Sequence, residues 1–281
     1  MLVKKYSGDL VPFDESSLRR SLMRSGATDA EVQMVYAKIK DQLYDGISTR
    51  ELYELAFDAL KSKKNSYAAR YSLKRALREL GPEGFYFEKW VARLFQEDGY
   101  EAITGQTVQG HAVTHEIDVV AAKGDVMLAI ECKFRNDEEA KISVTTPMYF
   151  KSRVTDVTGI EYPFFNAHRQ FTDGWLVTNA YLTTDSIKFG EYYKMNLLSW
   201  DYPKGTSIKA RVDETAEYPI TCLTNLTTQD KGMLLKNQCI CVKDLLKDPK
   251  VLNHIQIPTG KQSLILREAQ ELINSPISHE Q

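Results

Sequence analysis

Asp118, Glu131 and Lys133 stand out as charged residues in a stretch, HEIDVVAAKGDVMLAIECK from His115 to Lys133, whose other residues read as two paired strands. Gly124-Asp125 sits between the two runs, and glycine in the first central position suits a two-residue type II′ turn. Lys123 then pairs with Val126, and counting outward sets Asp118 opposite Glu131 with Cβ atoms about 5 Å apart. Facing carboxylates repel, and one is driven toward protonation unless a cation lies between them. A divalent ion resolves the conflict: Mg²⁺, or Mn²⁺ in its place, takes one or two carboxylates and keeps several waters. Such an ion lowers the pKa of a bound water and neutralises charge on a phosphate. Lys133, two residues beyond Glu131 and on the same strand face, is placed to orient that water or to stabilise the developing negative charge. The chemistry expected is attack by a metal-activated water on a phosphate.

The elements that must position these groups can be read on either side. A helix, FYFEKWVARLFQEDGY, carries the apolar stripe Phe87, Trp90, Val91, Leu94 and Phe95, with Glu88 at its edge and able to lean toward the carboxylates as an outer ligand. The hairpin follows, then a helix, the strand GWLVTN, a helix opened by Thr184, and the strand NLLSW. That order predicts an α/β fold, a mixed sheet flanked by helices whose last two strands run parallel through a helical crossover. Tyr149, Lys151 and Arg153 fall on the helix after the hairpin, where they either reach DNA phosphates or are simply solvated. His168 reads as lying in a loop, NAHRQ, as a substrate contact or a surface histidine, and Asn179 as a residue that caps backbone.

The D…ExK pattern preceded by a helical glutamate resembles the PD-(D/E)xK nuclease superfamily, and Gly84 to Pro203 looks like its Mrr-type restriction endonuclease branch. The resemblance implies a restriction-endonuclease-like fold and a metal-dependent endodeoxyribonuclease acting on double-stranded DNA. In that likeness Asp118 and Glu131 hold the metal, and Lys133 and Glu88 complete the catalytic set. Ile117 stands before Asp118 where the superfamily pattern has proline.

Breaks at Gly81-Pro82 and around Asp201 to Val212 predict three segments, 1–81, 82–210 and 211–281. The first opens with a short hairpin turning at Ser7-Gly8, then a helix capped by Asp14, another through Val32, Val35, Tyr36 and Ile39, and a third announced by the capping-box pair Ser48 and Glu51. A helix expected over Ser66 to Leu80 repeats Arg70, Lys74 and Arg78 on one face, either solvated or a phosphate-contacting patch for DNA. The first 80 residues, VKKYSGDLVPFDESSLRRSLMRSGA with GISTRELYELA, resemble the ATP-cone domain, which implies ATP or dATP as an effector. By that likeness Lys4 and Lys5 hold the basic strand. Tyr6 and Ser17 replace basic residues of the family pattern, and Arg19 and Arg20 either substitute or are solvated. The last segment, LTTQDKGMLLKNQCICVKDLLKDPKVLNHIQIP and the helix after it, looks like a small helical, helix-hairpin-helix type module with its turn at Asn237-Gln238 and a loose tail after Asn274. It serves either DNA backbone binding or protein packing.

With 281 residues, 43% of them hydrophobic and 26% charged, the chain is long enough for several cores. No apolar run approaches the roughly 18 residues of a membrane span, and the first residues lack a signal peptide's hydrophobic region, so a cytoplasmic protein is expected. Four scattered cysteines, with no histidine at zinc spacing beside the last pair, read as reduced thiols. The net charge of −2 offers no global attraction to nucleic acid, which must then be held by local patches. The expectation is a nucleotide-regulated endonuclease of restriction or defence, a homodimer if two strands are to be cut. The alternative is a nucleotide-responsive DNA-binding regulator that keeps the nuclease fold without its chemistry.

Overall fold

Amphipathic periodicity decides most of the architecture in the computed structural model, which describes residues 1–5, 7–81 and 84–274. Tyr6, Pro82 and the tail after Asn274, each of which carried an expectation, lie outside the described residues. The chain divides into two compact units, 1–76 with 218–281, and 77–217. The first and last of the three expected segments therefore fold as one unit.

That unit begins with β1 (Leu2–Lys4) and β2 (Leu10–Pro12), antiparallel around Gly8 at φ 92°. α1 (Glu15–Met23) follows, capped by Asp14, whose side chain accepts from Ser17 N–H at 3.0 Å. α2 (Asp29–Lys40) and α3 (Thr49–Lys63) both start with reciprocal capping boxes, Thr28 with Glu31 and Ser48 with Glu51. β3 (Ile47–Ser48) adds parallel to β1. The helices bury Leu22, Val35, Ile39, Ala56 and Leu60 in one core. The helix expected over 66–80 is broken at Ser72 into α4 (Asn65–Tyr71) and α5 (Leu73–Arg78), and Ser72 Oγ turns back to the Ala69 carbonyl at 2.9 Å.

The second unit lays α6 (Phe85–Glu97) on β4 (Glu101–Gln109), β5 (Thr114–Lys123) and β6 (Val126–Lys133). Further along come β7 (Lys141–Ile142), α7 (Thr145–Val157), β8 (Glu161–Phe164), β9 (Ala167–Gln170), β10 (Asp173–Thr178) and β11 (Tyr181–Leu182). α8 (Thr184–Tyr192), β12 (Asn196–Leu198) and α9 (Ile208–Thr215) complete it. The main sheet runs β12-β10-β6-β5-β4, with β12, β10 and β6 parallel and β5 and β4 antiparallel. This is the expected mixed sheet, and β10 and β12 are parallel as the crossover required.

Two expectations change. β4 was not legible, because its sequence EAITGQTVQ alternates weakly and carries a glycine, as an edge strand with little to bury can. The NAHRQ run is no loop: His168 lies on β9, paired with Pro163 of β8 around a turn whose Phe165 and Asn166 both take positive φ.

The C-terminal segment supplies α10 (Thr228–Lys236), α11 (Val242–Lys247), α12 (Val251–His254) and α13 (Thr259–Asn274). The turn after α10 falls at Asn237-Gln238, with Gln238 at φ 63°. α13 packs on α4 and α11. Among the described residues no helix is long and apolar enough to cross a membrane.

Candidate active site

The register of β5 and β6 follows from the turn. Gly124 takes φ 57°, Lys123 pairs with Val126, and the ladder runs without slip to Val119 opposite Ile130. There it stops. β6 continues against β10 as far as Lys133 with Thr178, while β5 continues against β4 as far as Thr114 with Gln109. The β4 ladder also skips Asp118, across from which Gly105 sits at φ 64°. The strands therefore fork at Asp118. The carboxylate fills the gap left by the lost ladder bond: its Oδ2 accepts from Cys132 N–H at 2.6 Å. A strand residue whose side chain replaces a backbone partner is held in place without any help from packing.

Glu131 is 3% exposed. Its Oε1 meets Lys133 Nζ at 2.5 Å, and its Oε2 meets Arg153 Nη1 from α7. Lys133 is in turn fixed by its own backbone. Its carbonyl accepts from Thr178 Oγ1 at 2.6 Å, and Asn179 bonds both the N–H and the carbonyl of Arg135, each at 2.8 Å. Asn179 thus clips the chain leaving β6, a backbone role.

Glu88, half-buried in the first turn of α6, completes the cluster. Burial, and then the charges of Asp118, Glu116 and Glu131, push its carboxyl up to about 7. Burial and the charge of Glu131 push Asp118 up to about 6. Both shifts come first from burial and then from neighbouring carboxylate charge, which Lys133 and, at Asp118, Arg153 oppose. Among the described residues no three His, Cys, Asp or Glu side chains gather at ligand spacing. A hard divalent ion needs only one or two carboxylates, so the all-oxygen pair Asp118 and Glu131 fits Mg²⁺ or Mn²⁺ with water completing its shell.

These shifts carry a stability consequence whose sign is fixed. A carboxyl whose folded pKa lies above its unfolded value stabilises the fold fully below the unfolded pKa, near 4, and loses that contribution as pH rises through 6 to 7. Metal-free Asp118→Asn should therefore be more stable than the parent at pH 8 by on the order of 1–3 kcal/mol, and indistinguishable from it near pH 4. Urea unfolding at the two pH values checks this; an equal difference at both would show that ionisation of Asp118 is not the cause.

The remaining expected site residues are dispersed. Tyr149 is 60% exposed on α7, and His168 is exposed on β9. Arg153 is not solvated but turned into the site. Arg70, expected on a DNA-facing stripe, is instead 5% exposed: it donates to Tyr218 Oη at 3.0 Å, the Ser25 carbonyl at 3.2 Å and the Leu272 carbonyl at 3.0 Å. Lys74 is half-buried, and Arg78 pairs with Glu138 at 3.4 Å, so the three do not make one cationic face. At the other end of the chain Lys4, Lys5 and Arg20 are exposed, Arg20 lying 3.8 Å from Asp14. Arg19 is engaged by Glu15 at 2.7 Å and lies over the Tyr36 ring.

With this geometry in hand, the similarities to known proteins divide along the chain. Residues 1–80 match the family model of the ATP cone domain, residues 81–148 that of the archaeal Holliday junction resolvase (Hjc), and residues 218–273 that of the AF1548-like C-terminal domain. The Hjc match contains Glu88, Asp118, Glu131 and Lys133. It supports a nuclease-like α/β domain of the PD-(D/E)xK kind behind an ATP-cone domain. A protein of Archaeoglobus fulgidus, described as uncharacterized, is 28% identical over 184 residues, which is 65% of this chain and 99% of the relative. A crystal structure of a protein of unknown function, AF1548, superposes with a TM-score of 0.54 at 27% identity, covering 67% of this chain and 97% of that one.

Proposed function

We propose that the protein is a divalent-metal-dependent DNA endonuclease whose activity answers to a nucleotide held by its N-terminal cone. The observation that carries the reading is the fork at Asp118, where Glu131 meets Lys133 and the carboxyls of Glu88 and Asp118 are pushed up by burial and by neighbouring carboxylate charge, inside a segment that matches a nuclease family. Asp118 and Glu131 would hold Mg²⁺ or Mn²⁺, with Glu88 as an outer carboxylate. Bound there, the metal would supply an activated water and neutralise charge on the phosphate. Lys133, held against Glu131, is positioned to orient that water or donate to the scissile phosphate. Asp118 is pinned through Cys132 N–H, so its carboxylate would be held ready for the ion. Tyr149 and His168, both exposed on the nuclease unit, are offered to the DNA backbone on either side.

Branched DNA is the substrate class favoured by the Hjc match; duplex cleavage of the Mrr restriction or defence kind is the finer alternative. Cleavage of four-way junctions, linear duplex and methylated duplex by the full chain in Mg²⁺ or Mn²⁺ separates them. Metal-dependent strand scission of at least one substrate is expected. Intact DNA throughout, with binding retained, would instead favour a nucleotide-responsive regulator built on the same fold. Two cuts on two strands call for two sites, which a homodimer provides; light scattering showing a monomer on cleaved DNA would remove that part.

For the cone, Lys4, Lys5 and Arg20 are the exposed cations that can receive phosphates, while Arg19 is engaged elsewhere. ATP or dATP at about a hundred times its dissociation constant should raise the melting temperature by roughly 5 °C, and Lys4→Ala with Lys5→Ala should remove the shift. No shift at millimolar nucleotide would leave the cone without a ligand.

A further inference from the structure

Asp156, near the end of α7, caps the turn between β4 and β5. Its Oδ1 accepts from Ala112 N–H at 2.9 Å, and its Oδ2 accepts from Val113 N–H at 3.2 Å and meets His115 Nε2 at 2.7 Å. A Cβ on Gly110 would come within 2.2 Å of Asp156 Oδ2, so the close approach depends on glycine there. Anchoring the helix at this point carries Arg153, three residues earlier, to the fork. There Nη1 donates to Glu131 on β6 and Nη2 donates to the Glu116 carbonyl on β5, so the guanidinium spans the two strands where their ladder has opened around Asp118. Nε is buried and finds no acceptor among the described residues.

This guanidinium faces a buried carboxylate yet leaves a buried donor unmet, at a desolvation cost that a fuller set of acceptors elsewhere would relieve. Resting on the nuclease reading above, we propose that Arg153 is an internal cation that competes with the divalent metal for Glu131. With an ion held by Glu131, the guanidinium would turn to a DNA phosphate, whose oxygens would give Nε the acceptor it lacks in its present position. Tyr149, one helical turn earlier with its ring 5.7 Å from the guanidinium, marks the exposed side toward which it would turn. Lys133, on the other oxygen of Glu131, belongs to the catalytic group and stays.

Metal affinity without DNA or turnover is the deciding readout. Mn²⁺ is titrated into the full chain and followed by electron paramagnetic resonance, comparing the parent, Arg153→Gln and Arg153→Lys, each first shown to be folded by thermal unfolding. Arg153→Gln should bind Mn²⁺ roughly tenfold more tightly than the parent, while Arg153→Lys, which keeps the competing charge, stays near the parent. In Mn²⁺ saturation the Gln variant should show a raised KM for DNA, because the phosphate contact is gone. Unchanged or weaker Mn²⁺ binding by Arg153→Gln, with the parent binding well, would overturn the competition and leave the nuclease reading standing. Absence of Mn²⁺ binding by all three proteins would instead overturn both.

Discussion

Glu131→Gln and Lys133→Ala should each reduce DNA cleavage at saturating Mg²⁺ by about a thousandfold or more. Glutamine keeps the shape of Glu131 but cannot hold a hard cation by charge, and it leaves Arg153 beside a neutral amide in a buried place. Glu131→Gln should therefore also lose about 1–3 kcal/mol of stability. Lys133 is different: its side chain is about a third exposed and Arg153 still faces Glu131 when it is removed, so Lys133→Ala should abolish activity with little change in unfolding. Single-turnover cleavage beside urea unfolding distinguishes the two signatures. Retained cleavage in Lys133→Ala would assign the charge stabilisation to another residue.

Arg70→Met should destabilise the unit formed by residues 1–76 and 218–281 by about 3–5 kcal/mol. The side chain knits three parts of that unit together through Ser25, Tyr218 and Leu272, and lies over the Tyr218 ring. Its approach to Gly26 is so close that a Cβ there would meet Nη1 at 2.2 Å. Methionine fills the space but strands two carbonyls. Calorimetry would show a lowered unfolding transition. Normal stability with weakened DNA binding would return Arg70 to the phosphate-contacting stripe that its spacing with Lys74 and Arg78 suggests.

Local signals carried much of the fold. The Gly124-Asp125 turn fixed a register that holds from Lys123 opposite Val126 to Val119 opposite Ile130, but the expected Asp118–Glu131 pair lies beyond the end of that ladder, where Asp118 turns to Cys132 N–H instead; the capping residues Asp14, Ser48 and Glu51 marked the helix starts. Strand parity separated Glu131 and Lys133 from the residues facing α6. Non-local effects were not readable. Nothing in the order of residues says that the β5–β6 ladder ends at Val119 or that the β4 ladder skips Asp118 opposite Gly105, and β4's own pattern is too weak to see. The helical spacing of Arg70, Lys74 and Arg78 describes a stripe only if the helix is unbroken and open on that side; Ser72 breaks it, and the C-terminal segment covers Arg70. Arg153 was visible as a cation on the right helix, but it lies three residues before Asp156, whose hold on the β4–β5 turn spans 43 and 44 residues of sequence.

In the proposed function Asp118 and Glu131 together make a metal-dependent phosphodiesterase. The most direct measurement is single-turnover cleavage of an end-labelled four-way junction and its duplex arms, in Mg²⁺ and in EDTA, by the parent and by Asp118→Asn. Asn retains an oxygen for Cys132 N–H, so the fork should persist while the charge is lost. Scission is expected by the parent in Mg²⁺ alone and none by the variant, with DNA binding equal in both. Undiminished scission by Asp118→Asn, or by the parent in EDTA, would contradict it.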